Sequence, residues 1–172
     1  MLGVLVAQLS AGTQSEGRKP TMALWDQLRQ RSQDMSSQLK TKANQFKNKD
    51  FKNGTMAMCA LIAASDGNID QSERAKVAGL ITSNDVLSIF PASELRETFD
   101  HYCNKLTSDY DFGKVEAVQA IAKLKPKQDQ ARAVIQIGII IGGADGNFDE
   151  NERVAVRDAC FAAGIAPGEF DL

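Results

Sequence analysis

Apolar residues recur along this chain mostly at helical spacing. From Met22 to about Asn48, Leu24, Leu28, Met35, Leu39, Ala43 and Phe46 fall three, four or seven positions apart. They form one stripe against a face of Gln, Lys, Arg and Ser, the pattern of an amphipathic helix that packs on the core or on a partner. Phe51–Ala64 is almost continuously apolar after Thr55 and reads as a buried helix. Ser65-Asp66-Gly67-Asn68 breaks it, and a second helix is expected from after Asp70 to about Thr82. Asn84–Phe90 suggests a short helix stopped by Pro91. Ser93 is a fair N-cap for a helix to Leu106 that aligns Leu95, Phe99, Tyr102, Cys103 and Leu106. A turn is expected over Thr107–Asp111. The next helix is marked by Val115, Val118, Ile121, Ala122 and Leu124 and closed by Lys125-Pro126.

The run Val134–Ile141 is β-branched enough to be a buried strand when read alone. Its length within Gln128–Gly143 and its place in an internal repeat favour helix instead. A last long helix is expected from Asn151 to about Ala163, ended by Gly164, with one final turn in Pro167–Leu172. The pattern predicts an all-α fold: a compact bundle of about seven helices in two pseudo-symmetric helix–loop–helix halves.

The repeat is the most distinctive feature. Asp66-Gly67-Asn68-Ile69-Asp70-Gln71-Ser72-Glu73-Arg74 returns 79 residues later as Asp145-Gly146-Asn147-Phe148-Asp149-Glu150-Asn151-Glu152-Arg153. Local structure accounts for most of it. Asp70 and Asp149 stand at N-cap positions with Glu73 and Glu152 three residues on, as in a capping box. Gly67 and Gly146 can supply the positive φ that ends the preceding helix. Asp66 and Asp145 fit this account least, because a negative charge near a helix C-terminus is unfavourable.

A divalent cation would relieve the repulsion among the carboxylates. Asp66, Asn68, Asp70 and Glu73 could offer oxygen ligands from the first loop, and Asp145, Asn147, Asp149 and Glu152 from the second, with calcium the best match to such donors. The loop is not an EF-hand: counting from Asp66, position six is Gln71 and position twelve is Val77, and the second copy has Glu150 and Val156 there.

The remaining composition narrows the function. At 172 residues the chain fits one domain with a short appendage. A net charge of -2 lacks the basic balance of a nucleic-acid binder. Lys40, Lys42, Lys47, Lys49 and Lys52 crowd one stretch, which reads first as a solvated face and second as a contact for anionic lipid or an acidic partner. Cys59, Cys103 and Cys160 are far apart and read as small buried hydrophobes in a reducing compartment. Met1–Ala7 is apolar but short and lacks a basic start, so neither a secretory signal nor a membrane span is expected there. Residues 1–21 read as a tail outside the fold, with Met22 a second plausible start. The only histidine, His101, lies within a helix far in sequence from both loops. No Gly-rich phosphate loop, GxSxG or HExxH occurs, so no enzymatic activity and no small-molecule substrate are expected.

Three stretches carry a resemblance to a known family. Phe46–Ala60, the element Asp145–Glu152, and the ending Gly164-Ile165-Ala166-Pro167-Gly168-Glu169-Phe170-Asp171-Leu172 are similar to the tellurite-resistance TerB family, over about Met22 to Leu172. The connection near Thr107–Lys114 is shorter than the family's usual form. The resemblance implies an all-α domain over residues 22–172 with the acidic residues of the two loops on one surface. It also implies a divalent-metal role for that surface. The implied setting is a cytoplasmic role in tellurite resistance and related stress, beside calcium-binding relatives and an integral membrane partner. A metal-independent scaffold at the inner membrane face is the other function class.

Overall fold

The computed structural model describes residues 43–172. The expectations placed on residues 1–21, on most of the stripe from Met22, and on Lys40 and Lys42 lie outside the described residues.

Helix α1 (Lys49–Ala63) starts where Asn48 accepts a hydrogen bond from the Phe51 amide. Every residue from Gly54 to Ala63 is buried, as befits a helix that is apolar all round. Its one buried polar side chain, Thr55, donates to the Phe51 carbonyl at 2.7 Å. Around it stand α2 (Gln71–Ser83), α3 (Ala92–Ser108), α4 (Tyr110–Ala122), α5 (Gln128–Gly142) and α6 (Glu150–Ala163). α1 packs chiefly against α3, α4 and α5, and α6 closes over α4 and α5. Among the described residues there are six α-helices, three 3₁₀ turns and no strand. The all-α class and the two helix–loop–helix units, α1–α2 and α5–α6, stand as expected; the count of about seven is one α-helix too many for these residues.

The β-branched run is helix. Val134, Ile135, Ile137, Ile139 and Ile141 are all buried in α5. α6 ends at Gly164, which takes a left-handed conformation, and the final turn is the 3₁₀ segment Pro167–Phe170.

Four local expectations change. Asn84–Phe90 forms only a 3₁₀ turn over Leu87–Ile89, because the Asn84 side chain accepts from the Val86 and Leu87 amides and curls the chain tightly. Ser93 is not a cap: α3 begins at Ala92, directly after Pro91. Proline holds the preceding Phe90 extended, which places the boundary there. The five-residue turn over Thr107–Asp111 is a single residue. Asp109 donates its amide to the Lys105 carbonyl as α3 ends, and accepts from the Phe112 amide as α4 begins.

The fourth change is the face of α4. Gly113, Ala117, Ala120 and Ile121 are buried, whereas Val115 is 54% exposed. A Cβ on Gly113 would lie 2.6 Å from the Leu106 amide nitrogen. Small residues therefore set this interface by letting two helix backbones meet, and the larger valine is turned outward.

The three cysteines are free and buried, and burial raises all three thiols above their usual range. That agrees with the packing role expected of them. Among the described residues no helix is long and apolar enough to cross a membrane.

Candidate functional site: two acidic loops clasped by a lysine

Each loop follows a helix that ends in a tight turn. The Gly67 amide donates to the Ala64 carbonyl and the Gly146 amide to the Gly143 carbonyl. Both glycines then take φ of +87° and +80°, a region closed to most side chains. One oxygen of Asp66 accepts from the Asn68 amide at 3.1 Å, and one of Asp145 from the Asn147 amide at 3.0 Å. These are local Asx turns, which give the awkward aspartates a backbone partner.

The next helix starts on the second aspartate. Asp70 accepts from the Glu73 amide and the Ser72 hydroxyl, both at 2.7 Å. Asp149 accepts from the Glu152 amide at 2.8 Å, and Glu152 returns the bond by accepting from the Asp149 amide at 3.0 Å. The capping box is complete in the second loop, and only its forward half forms in the first. Ile69 and Phe148 tuck against the core as expected. The larger Phe148 requires Gly142 beneath it, where a Cβ would stand 2.8 Å from the ring; the first copy has Ala63 there.

The two loops meet. The Lys76 ammonium of α2 lies 2.8 Å from a carboxylate oxygen of Asp145 in the other repeat. Glu73 feels the charges of Asp66, Asp70 and Asp149. Lys76 feels Glu73 and Glu152 as well as Asp145. The sequence reading missed Lys76. Its signal was available: the equivalent position of the second copy is Ala155, so the lysine breaks the repeat where the halves face each other.

Protonation follows this layout. Burial pushes the half-buried Glu152 carboxyl up to about 7, against the Asp149 amide and with Asp149 and Asp145 adding repulsion. Glu73 is also raised, by burial and then by Asp66 and Asp70. Asp145 is lowered, chiefly by the Lys76 hydrogen bond, and Asp70 by the Glu73 amide.

As a donor set, the loops offer oxygen alone, which is the chemistry of a hard cation. One oxygen of each aspartate is already bonded to backbone. Asp145 also holds Lys76. Among the described residues, no group of three or more His, Cys, Asp or Glu side chains is gathered to hold a metal ion. Asp66, Asn68, Asp70, Glu73, Asp145, Asn147, Asp149 and Glu152 are thus placed on neighbouring loops but not converged on one point.

His101 lies on α3, 2.9 Å from Glu116 of α4.

The sequence profile of the tellurite resistance protein TerB matches residues 52–172, so the matched range starts later than Met22. A tellurium resistance protein TerB from an Alcaligenes species is 28% identical over 118 residues, covering 69% of this chain and 97% of that protein. No solved structure matches the chain. With most of its length matched, including both acidic loops and all six helices but the first turn of α1, the chain belongs to the TerB family of tellurite resistance proteins.

Proposed function

We propose that this chain acts in tellurite resistance and related stress as a cytoplasmic, non-enzymatic protein whose two acidic loops bind a divalent cation, calcium foremost. In this reading it works beside an integral membrane partner of the same system. The observation that carries the reading is the Lys76–Asp145 bridge. A positive charge from the first repeat already bridges to a carboxylate of the second, amid carboxylates whose repulsion it only partly offsets. A divalent cation supplies twice that charge to the oxygens that backbone amides leave open, with Asp66, Asp70 and Glu73 on one side and Asp145, Asp149 and Glu152 on the other.

A second reading is favoured by a different observation. Capping accounts for much of each loop, and the carboxylates are not gathered for an ion. The charged surface then serves as a metal-independent contact for a protein partner at the inner membrane face.

One titration separates the two. Calcium, then magnesium and manganese, are added to the full chain while melting temperature and NMR shifts are followed. In the metal reading calcium raises the melting temperature saturably, and Asp66→Asn/Asp145→Asn abolishes the rise. Lys76→Met then binds calcium more tightly, because the competing ammonium is gone. No response to millimolar ion in any of the three proteins would leave only the protein-contact reading.

A further inference from the structure

The outer face of α4 has no part in the acidic loops. Phe112, Val115, Gln119 and Lys123 follow one another on it at three, four and four positions, and all four are exposed. That spacing sets them in one stripe, opposite the buried Gly113, Ala117, Ala120 and Ile121. Phe112 is 77% exposed and Val115 54%. Both also line a groove of about 610 Å³ that runs between Lys105 of α3 and Glu116 and Gln119 of α4. An apolar knob and a recess to receive one thus share a single face, the form of an interaction surface.

Charge says what the face receives. In the middle of α4 the charges are taken up within the chain: Lys114 lies 3.2 Å from Asp158 of α6, and Glu116 lies 2.9 Å from His101 and 3.9 Å from Lys105. The two ends of α4 differ in sign. Asp109 and Asp111 stand at its start, and Lys123 stands at its C-cap. A surface that is acidic at one end and basic at the other, with its apolar residues between, is complementary to itself when turned through a half rotation.

We propose that α4 pairs antiparallel with α4 of a second copy about a two-fold axis passing between Val115 and Glu116, each Phe112 lying in the groove of the other copy. In this register Phe112 of one copy meets Gln119 of the other, beside Val115. Lys123 of one copy meets the Asp109 end of the other, twice over by symmetry. A parallel pairing would set Lys123 against Lys123 and Asp109 against Asp109. A partner of a single sign would meet like charge at one end of the stripe, so a second copy is the occupant that fits both ends. The contact is small, one helix of 13 residues, roughly 20 Å long, from each copy. It therefore belongs with weak, reversible dimers, with the exposed aromatic as its anchor. No residue of the acidic loops takes part, so the pairing and the cation reading stand or fall separately.

Sedimentation velocity on the full chain, from about 1 µM to about 1 mM, tests this, with the dissociation constant expected at about 10–100 µM. Phe112→Ser/Val115→Ser should raise that constant more than ten-fold while leaving the melting temperature of the dilute monomer unchanged, since both residues are exposed. Asp109→Asn keeps an oxygen to cap α4 and removes the charge that meets Lys123. It and Lys123→Gln should each weaken dimerisation several-fold, and the parent should weaken with added salt. Three results would overturn the proposal: a monomer throughout the concentration range, a dimer that survives Phe112→Ser/Val115→Ser, or a dimer indifferent to both charge variants.

Discussion

The two acidic loops are nearly the same sequence in two different settings, and the settings decide what each carboxylate does. In the first loop the Glu73 amide donates to Asp70, and Ile69 is the small apolar anchor. In the second, Phe148 fills the space over Gly142, Glu152 folds back onto the Asp149 amide, and burial lifts its carboxyl to about 7. The same glutamate in the same motif is therefore a more weakly shifted acid in one copy and a neutral-range titrating group in the other. A duplicated motif fixes the backbone twice; the packing beside it fixes the chemistry separately.

The sharpest break is at Gly142. Gly142→Ala drives a methyl into the Phe148 ring and should destabilise by about 1–3 kcal/mol, the usual cost of overpacking. Adding Phe148→Ile converts the second anchor to the first loop's Ala–Ile pair and should recover much of the loss. Chemical denaturation of the single and double variants measures both, and a double variant no more stable than Gly142→Ala would show that the anchor is not what separates the loops. Smaller is the difference between caps. Asp70→Ala and Asp149→Ala should each cost about 1 kcal/mol, with Asp70 the larger, because it also loses the Ser72 hydroxyl bond, whereas the backbone amide at 149 still donates to Glu152 in the alanine variant. Equal losses in thermal melts would show that the Ser72 bond adds nothing to the first cap.

The smallest effect is the pH dependence. Because Glu152 is raised in the folded state, the native protein holds that proton more tightly than the unfolded chain. Its contribution to stability is full below the ordinary glutamate range and declines as pH rises toward 7 and beyond. Asp145 and Asp70, both lowered, act oppositely at acid pH: their stabilisation is present above the usual aspartate range and is lost as pH falls below it. Glu152→Gln keeps the capping geometry and should flatten the slope between pH 5 and 8 by roughly the contribution of one titrating group. An unchanged slope in melting temperature against pH would place that titration elsewhere.

Much of this was legible in the sequence, for identifiable reasons. The burial of α1 follows from an apolar run with no polar face. The caps at Asp70 and Asp149 follow from local chemistry that acts within a few residues. The helix at Val134–Ile141 was legible only because the repeat supplied a second, less ambiguous copy. What stayed hidden depends on partners distant in sequence. The face of α4 is set by Gly113 against the Leu106 backbone, and a hydrophobic pattern that weights valine over glycine points the wrong way. Lys76 matters because Asp145 is folded beside it, and the warmth of Glu152 toward a proton comes from neighbours that the motif does not contain.

Asp109 carries one last consequence. With a single residue between α3 and α4, their contacts close a loop of almost no length, at little cost in chain entropy. The acidic loops, by contrast, join through Lys76 and Asp145 across 69 residues and reward the chain only once that long loop is closed. In kinetic terms the α3–α4 hairpin belongs to the early part of folding and the lysine clasp to the late part. The clasp then bears on how fast this acidic face opens rather than on how fast it forms.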